Sequence, residues 1–436
     1  MPKPSPSPDP PDTAVFDRVE SGVRSYCRLF PRKFVRGRGA WLYDAAGGAY
    51  LDFLSACGSL NYGHNHPVLK AALLDYLEQD GLAIGLDLHT EAKERFLAEF
   101  ERSILRPRGL DYRLMCTGPT GANSVEAALK LARKVTGRHN VIAFTNGFHG
   151  MSLGALAATG DRTKREGAAL PLGGITREGF EGYYGPAIDT AALLERRLAD
   201  PSSGLDKPAA ILLETVQGEG GVNAASAAWA GRIAQLARAE GALLIVDEIQ
   251  TGCGRTGRFF GFEELGLKPD IVTLAKSLSG LGLPFAATLF RPELDIFMPG
   301  QHNGTFRGNC HAFVTGEAAL RQFWRDDGLE REVARKGALL AARLAAMAAA
   351  HRPFVRRAKG RGMLQGIELS SGALAAQVIR LAFARGLVIE GSGPHDEVLK
   401  VMAPLVIGED ELMAGLDILQ GALEEVLVRQ RRVAVE

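Results

Sequence analysis

Short apolar runs followed by polar or ionisable residues recur along the middle of the chain. The run 242–246 ends at Asp247 and Glu248, and the run Ile271–Leu274 is followed two positions later by Lys276. Runs of four or five apolar residues are too short for helices and are typical of strands buried on both faces. Ligands bind at the carboxyl ends of strands in open α/β sheets. This pattern therefore predicts an α/β fold with an acid and an amine at one edge of one sheet.

A glycine-containing loop that precedes an amphipathic helix forms a second pattern. Gly118 and Gly121 stand in the loop, and Gly137 is placed to end the helix. The apolar residues that fall on one helical face are Val125, Ala128, Leu129, Ala132 and Val135. Because the free N–H groups at a helix N-terminus favour an anion, this loop could hold a phosphate, although an ordinary turn explains such a loop equally well when it is taken alone.

Two further apolar runs, 141–145 and 211–216, are also predicted as strands that end in polar loops. The loop after the first run contains Phe148 and His149, and an aromatic residue in such a place is often part of the core. The glycine-rich segment 163–187 is predicted as an irregular functional loop, because it is longer than a simple connector.

The length of 436 residues suggests two or three domains with a large buried core. Residues 1–12 are half proline and are predicted to form a disordered tail. We expect an N-terminal segment, 13–67, that joins a small domain, then a large α/β domain, 68–325, and a smaller C-terminal α+β domain, 326–436.

The composition excludes several classes of protein. Hydrophobic residues make up 46% of the chain and charged residues 23%, as in ordinary globular enzymes. The net charge of +1 does not favour nucleic acid or a membrane surface as a partner, and no apolar run approaches the roughly 18 residues of a membrane helix. The five scattered cysteines fit a reducing cytoplasm, and no metal site is predicted, because His64 and His66 have no further ligand at a useful spacing.

Each ionisable residue at a strand end also has a less specific explanation. An aspartate there is often a helix cap, and a lysine is usually a solvated surface charge. Residues 252–257 match the dinucleotide fingerprint G-x-G-x-x-G, but the segment 258–262 that follows is a poor helix opening, so this interpretation is rejected. The combination of Asp247, Gln250 and Lys276 is harder to explain in this way.

The stretch from Asp247 to Lys276 resembles the motif of the class III pyridoxal-phosphate aminotransferases, D-E-I/V-Q-x-G-x-G-R-T-G followed by P-D-I-V-x-x-x-K. Weaker matches lie at 120–128, at 148–150 and at 301–309. The resemblance covers nearly everything after about residue 18. It implies the α/β fold type I of pyridoxal-phosphate enzymes, in which a large domain with a mostly parallel seven-stranded sheet is joined to a smaller α+β domain.

The resemblance also implies roles for particular residues. Lys276 would bind pyridoxal 5′-phosphate covalently and act as the catalytic base, and Asp247 would keep the pyridine nitrogen protonated. Ala122 departs from the family pattern, which has a hydroxyl residue there. The other cofactor contacts that the resemblance implies are the backbone of Gly121 and Ala122 at the phosphate, Phe148 and Ile249 on the two ring faces, His149 as a supporting hydrogen-bond partner, Gln250 at the ring hydroxyl, and Thr305 at the phosphate of the neighbouring subunit.

The resemblance predicts a homodimer or a higher homo-oligomer with shared active sites, and small-molecule substrates, namely amino acids and aldehydes or keto acids. Lys400 stands where ornithine-type members of the family have an arginine that binds a substrate carboxylate, and that arginine pairs with the glutamate matching Glu219. A solvated strand lysine is the alternative for Lys400.

Within the family, the chain looks closest to the diaminobutyrate–2-oxoglutarate aminotransferases. This resemblance implies transfer of the amino group of L-glutamate to L-aspartate 4-semialdehyde. Three departures near the expected pocket lie at 56–59, at Glu248 and at Ala122. They leave open another ω-aminotransferase with a different amine and aldehyde, a pyridoxal-phosphate mutase or racemase, and a non-enzymatic protein on the same scaffold.

Overall fold

The computed structural model describes Ser5 and residues 13–433. The predicted disordered tail lies outside the described residues except for Ser5, whose backbone N–H donates to Ala49 O at 3.0 Å. The domain boundaries given above stay a prediction.

The described residues form seventeen strands. The strands are β1 Phe34–Arg38, β2 Trp41–Asp44, β3 Ala49–Asp52, β4 Arg113–Cys116, β5 Val141–Phe144, β6 Ile175–Glu178, β7 Ala210–Glu214, β8 Val216–Gln217, β9 Asn223–Ala224, β10 Leu243–Asp247, β11 Ile271–Leu274, β12 Ala287–Phe290, β13 Val355–Arg361, β14 Leu364–Leu369, β15 Leu387–Val388, β16 Glu390–Ser392 and β17 Val398–Val401.

Most helices lie between the strands of the large sheet or after its last strand. The α-helices are α1 Ala14–Val19, α2 Tyr26–Leu29, α3 Ser55–Gly58, α4 Pro67–Glu78, α5 Glu91–Phe100, α6 Gly121–Thr136, α7 Leu153–Ala158, α8 Arg162–Glu166, α9 Thr190–Ala199, α10 Ala227–Ala239, α11 Cys310–Phe323, α12 Gly328–Ala350, α13 Gly372–Ala384 and α14 Glu409–Val433. One π-helical turn, Glu101–Leu105, and four 3₁₀ turns, Arg106–Arg108, Lys276–Ser279, Pro292–Leu294 and Thr305–Gly308, complete the helical elements of the described residues.

A seven-stranded sheet with the order β4-β12-β11-β10-β7-β5-β6 forms the centre of the molecule. Only β12 runs antiparallel to its neighbours, so the sheet is mainly parallel, as the resemblance implies. Alternate residues of its strands pack into two separate cores. Ile245 on β10 packs with Leu129 of α6, while Val246 lies in the same core as Trp229 of α10. Both faces are therefore covered, which explains why the strands read as continuous apolar runs.

Two four-stranded sheets and the two-stranded sheet of β8 and β9 accompany the large sheet, and one of the four-stranded sheets joins N-terminal and C-terminal segments of the described chain. β1, β2 and β3 form one sheet with β15, which runs parallel to β3, so N-terminal and C-terminal segments share a sheet. β13, β14, β17 and β16 form the other. Among the described residues, no helix has both the length and the apolar character needed to cross a membrane.

The prediction of an irregular loop at 163–187 is wrong, because α8 and β6 lie within this segment. β6 is the edge strand of the large sheet and pairs only with β5. Edge strands tolerate charged side chains, and here Arg177 donates to Ala157 O and Glu178 pairs with Arg197. With one apolar residue, Ile175, the strand lacks the continuous apolar run that identifies the central strands.

Candidate active site

A cavity of about 290 Å³ opens at the carboxyl ends of the parallel strands of the large sheet. The loops after β5, β7, β10 and β11 contribute to its wall, together with the N-terminus of α6. The wall contains nine of the predicted site residues, namely the cofactor contacts Gly121, Ala122, Phe148, His149, Asp247, Ile249, Gln250 and Lys276 and the substrate-binding residue Glu219. The structure thus brings together residues that lie as far apart in the chain as Gly121 and Lys276.

Asp247 is the last residue of β10 and is only 4% exposed. Its Oδ2 lies 2.7 Å from His149 Nδ1, and its Oδ1 accepts hydrogen bonds from Thr273 Oγ1 at 2.9 Å and from the Ile249 backbone N–H at 3.1 Å. Burial opposes protonation of His149, but the hydrogen bond to Asp247, the negative charge of Asp247 and a contribution from Glu214 together outweigh it, so the pKa of His149 is raised. These contacts fix the orientation of the carboxylate at the cavity wall. Asp247 therefore does not serve as a helix cap.

Lys276 begins the 3₁₀ turn that follows β11, and its backbone is in the left-handed region with φ 51°. Such a conformation is strained for a residue other than glycine, and strain of this kind clusters at functional sites. Burial lowers the pKa of Lys276, although Glu219 opposes this effect. Its Nζ makes no hydrogen bond within the described part of the chain. Lys276 is thus a partly buried amine that faces the cavity, rather than a solvated surface charge.

The loop before α6 forms a cradle at the first helical turn. Thr120 caps the helix, since its Oγ1 accepts from the Asn123 backbone N–H, and Asn123 Oδ1 in turn accepts from the Thr120 backbone N–H at 3.2 Å. A Cβ added at Gly121 would lie 2.9 Å from Ile249 Cδ1, so a larger residue there would displace the Ile249 side chain. The backbone N–H groups of Gly121 and Ala122 are free of helical partners and lie at the cavity wall. This arrangement can bind a phosphate without the hydroxyl that Ala122 lacks.

Phe148 and Ile249 both line the cavity, as expected of residues that contact a flat ring. The Phe148 backbone N–H donates to Glu214 Oε2 at 3.0 Å. Gln250 Nε2 donates to Cys57 O and to Glu219 Oε1, each at 3.1 Å. The Gln250 amide packs closely against the chain after β8, where a Cβ at Gly218 would lie 1.5 Å from Gln250 Oε1.

The solvated-lysine explanation of Lys400 is wrong, because this residue is completely buried on β17. Its Nζ lies 2.7 Å from Glu219 Oε1 and 2.9 Å from Glu390 Oε1. Burial opposes ionisation of Glu219, but Lys400 and Lys276 outweigh it and lower its pKa to about 2. The ion pair that the resemblance implied between Glu219 and Lys400 is therefore present, although Glu219 lines the cavity and Lys400 lies behind it.

Thr305 is the one predicted cofactor contact that lies outside this cavity. It is exposed and begins a short 3₁₀ turn before α11. This position agrees with a residue that would serve another subunit, and its role stays a prediction.

The sequence does not predict a role for three polar residues of the site, which are Thr273, Glu214 and Glu390. Thr273 donates a hydrogen bond to Asp247, and Glu214 accepts one from the Phe148 backbone. Burial raises the pKa of Glu214 to about 8, so this carboxyl group is mostly protonated at neutral pH. Glu390 pairs with Lys400 across β16 and β17. Glu214 stands at a strand end and matches the first glutamate of the family pattern E-P-x-Q-G-E-x-G, whereas no local sequence signal marks Thr273 or Glu390.

The described residues fit pyridoxal phosphate. A partly buried amine, a buried carboxylate and a glycine loop at a helix N-terminus surround one cavity, and a Cβ at Gly121 would crowd Ile249 on the cavity wall. These are the groups needed to hold the aldehyde carbon, the ring nitrogen and the phosphate. When bound, the cofactor would act as an electron sink for the substrate carbon that carries the amino group. In the described part of the chain, no cluster of histidine, cysteine, aspartate or glutamate could hold a metal ion.

The family model for class III aminotransferases matches residues 24–423. A solved structure of ornithine aminotransferase from Toxoplasma gondii with pyridoxal phosphate at its active site superposes with a TM-score of 0.82 at 28% identity, covering 96% of this chain and 94% of that chain. An aminotransferase from Bacillus anthracis gives a TM-score of 0.84 at 25% identity, covering 95% of this chain and 97% of that chain. The fold and the site therefore define an aminotransferase, and this chain belongs to the class III family.

Two sequence relatives carry the name of one particular aminotransferase within this family. Diaminobutyrate–2-oxoglutarate transaminase from Vibrio cholerae is 54% identical over 94% of this chain and 100% of its own length. The enzyme of the same name from Streptomyces coelicolor is 51% identical over 95% of this chain and 98% of its own length. The chain is a transaminase that uses pyridoxal phosphate, and the non-enzymatic and mutase alternatives lose their support.

Proposed function

We propose that this enzyme transfers the amino group of L-glutamate to L-aspartate 4-semialdehyde, which gives L-2,4-diaminobutyrate and 2-oxoglutarate. The identity of 54% to the Vibrio cholerae enzyme over its full length carries this proposal. The shared site residues support it, because Lys276, Asp247 and the α6 cradle provide the machinery of amino transfer around one cavity.

In this proposal each residue has one task. Asp247 would hold a proton at the ring nitrogen, with His149 and Thr273 fixing its carboxylate. Lys276 Nζ would move a proton between the substrate carbon that bears the amino group and the C4′ carbon of the cofactor, in one direction in the first half of the reaction and in the reverse direction in the second. Its lowered pKa favours this role, since only the neutral amine can accept a proton.

The remaining site residues would bind and orient. Gly121 and Ala122 would hold the phosphate through backbone N–H groups, Phe148 and Ile249 would contact the ring faces, and Gln250 would contact the ring hydroxyl. Glu219 and Lys400 would form the substrate end of the pocket. Burial of the Asp247 and Lys400 side chains strengthens their polar contacts, because the interior screens charge less than water does.

The purified enzyme loaded with pyridoxal phosphate tests the proposal. L-glutamate is expected to change the absorbance of the lysine-bound cofactor to that of its amine form and to release one equivalent of 2-oxoglutarate. L-aspartate 4-semialdehyde is then expected to restore the first spectrum and to yield 2,4-diaminobutyrate. A spectrum that does not respond to glutamate would overturn the donor. A response to glutamate without reaction of the semialdehyde, but with another aldehyde from a panel, would establish a different ω-aminotransferase.

We also propose that the active enzyme is a homodimer with shared sites. The exposed turn that carries Thr305 is close in sequence to exposed apolar side chains, among them Met298 and Phe306, which are 64% and 59% exposed. Apolar surface of this kind favours burial against a second copy. The five cysteines are free among the described residues, which fits our proposal of a cytoplasmic enzyme.

Replacing Thr305 with alanine is expected to weaken cofactor retention, because one hydroxyl donor to the phosphate would be lost. We expect the dissociation constant for pyridoxal phosphate to rise about tenfold, as measured by dialysis and fluorescence titration. Thr305→Ser keeps the hydroxyl and should restore wild-type affinity. Equal cofactor affinity in all three proteins would contradict the assigned role of Thr305.

A further inference from the structure

A buried cluster of charges closes the substrate end of the cavity, and it contains a carboxylate that the proposed function does not use. Lys400 on β17 faces Glu390 on β16 in the pairing register, and its Nζ lies 2.9 Å from Glu390 Oε1. Glu390 is 4% exposed, and its Oε2 accepts a hydrogen bond from Tyr26 at 3.1 Å. The amine of Lys400 is thus shared between two carboxylates, Glu390 behind it and Glu219 before it.

Only one member of this cluster reaches the cavity. Lys400 is completely buried, whereas the side chain of Glu219 is 24% exposed and lines the cavity wall. Glu219 Oε1 is occupied by Lys400 and by Gln250. Its Oε2 accepts no hydrogen bond from the described residues, so this oxygen of the cavity-lining carboxylate can accept one from a substrate. A substrate therefore meets a carboxylate oxygen at this end of the cavity, and not an amine.

The second carboxylate accounts for this arrangement. An amine paired with Glu219 alone would carry one positive charge against one negative charge, and two of its three N–H donors would be available to a substrate carboxylate. Glu390 adds a second negative charge 2.9 Å from the amine, which holds the positive charge of Lys400 in this ion-pair cluster. A substrate carboxylate that approached Lys400 would thus have to displace Glu219 and also tolerate Glu390.

We propose that Glu390 is a specificity-determining positioning residue, which holds Lys400 behind Glu219 so that the cavity presents a carboxylate to a distal ammonium group of the substrate. This inference rests on the proposed function and deepens it. The preferred class of substrate is an ω-amine whose far end is an α-amino acid, because the α-ammonium group can then pair with Glu219 Oε2. An ω-amine whose far end is a carboxylate without an ammonium group is disfavoured.

Two amino donors that differ in one group test this inference. 2,4-Diaminobutyrate carries the distal ammonium group, and 4-aminobutyrate has hydrogen in its place. The ratio of kcat/KM for these two donors, measured with 2-oxoglutarate as acceptor, is expected to exceed ten in the wild type. In Glu390→Gln the amine of Lys400 loses one charged partner and becomes available to the carboxylate of 4-aminobutyrate. The rate with 4-aminobutyrate should therefore rise relative to that with 2,4-diaminobutyrate, and the ratio is expected to fall at least tenfold.

Two further variants separate specificity from folding. Glu219→Gln removes the carboxylate at the cavity wall and leaves Glu390 on Lys400, and the ratio is expected to fall at least tenfold here as well. Glu397→Gln changes another glutamate of the β16–β17 connection, whose Oε2 accepts from the His395 backbone, and should leave the ratio unchanged. Cofactor content and the thermal midpoint of each protein show whether it is folded.

The outcomes are distinct. A ratio within about twofold of the wild type in Glu390→Gln, with both rates lowered equally, would assign Glu390 a merely structural role and overturn the inference. If Glu390→Gln does not fold, an unchanged ratio in Glu219→Gln overturns it. A wild type that does not use 2,4-diaminobutyrate would overturn the proposed function as well, whereas normal use of this donor with unchanged ratios overturns this inference alone.

Discussion

Replacing Lys276 with alanine is expected to lower kcat about 10⁴-fold or more, the upper end of what a positioned general base contributes. Lys276 follows β11 directly, faces the cavity and has a pKa lowered by burial. Within the cavity wall formed by the described residues it is the only lysine, so no other amine there can take over proton transfer. Single-turnover measurements with glutamate on the cofactor-loaded variant would quantify the loss.

An exposed lysine provides the control for this experiment. Lys268 precedes the same strand and lies on the surface, so Lys268→Ala should retain activity within about twofold. Cofactor binding should survive in part in Lys276→Ala, because Asp247 and the α6 cradle remain. Turnover in Lys276→Ala within tenfold of the wild type would contradict the role assigned to Lys276.

The positions of Asp247 and Lys276 could be predicted because both depend on local sequence. Each follows a short apolar run, and the runs are strands β10 and β11, which are neighbours in the sheet. The observed bounds, Leu243–Asp247 and Ile271–Leu274, differ from the predicted ones by at most one residue. Gly121 and the helix that follows could be predicted for the same reason, since the cap residues and the apolar face lie within one segment.

The environment of Lys400 could not be predicted, because it depends on pairing between distant segments. Glu219 and Lys400 are 181 positions apart, and Tyr26 and Glu390 are 364 positions apart. Nothing near Lys400 in the sequence distinguishes a buried amine from a solvated one. β6 was missed for a different reason: an edge strand needs only one covered face, so its sequence carries few apolar residues.

Asp247→Asn is expected to lower kcat by about 10²- to 10³-fold, which is the loss seen when one preorganised electrostatic partner of a reacting centre is removed. Asparagine has nearly the same shape, so the contacts with Thr273 and the Ile249 backbone can persist while the negative charge is lost. Thr273→Val is the matched variant, because it removes one hydrogen bond to the carboxylate and keeps its charge, and kcat should fall less than about tenfold. Steady-state rates with glutamate and 2-oxoglutarate formation measure both losses. If the charge of Asp247 holds a proton at the ring nitrogen, Asp247→Asn must lose far more activity than Thr273→Val. Equal losses in the two variants would show that Asp247 only positions the cofactor and that its charge is not needed.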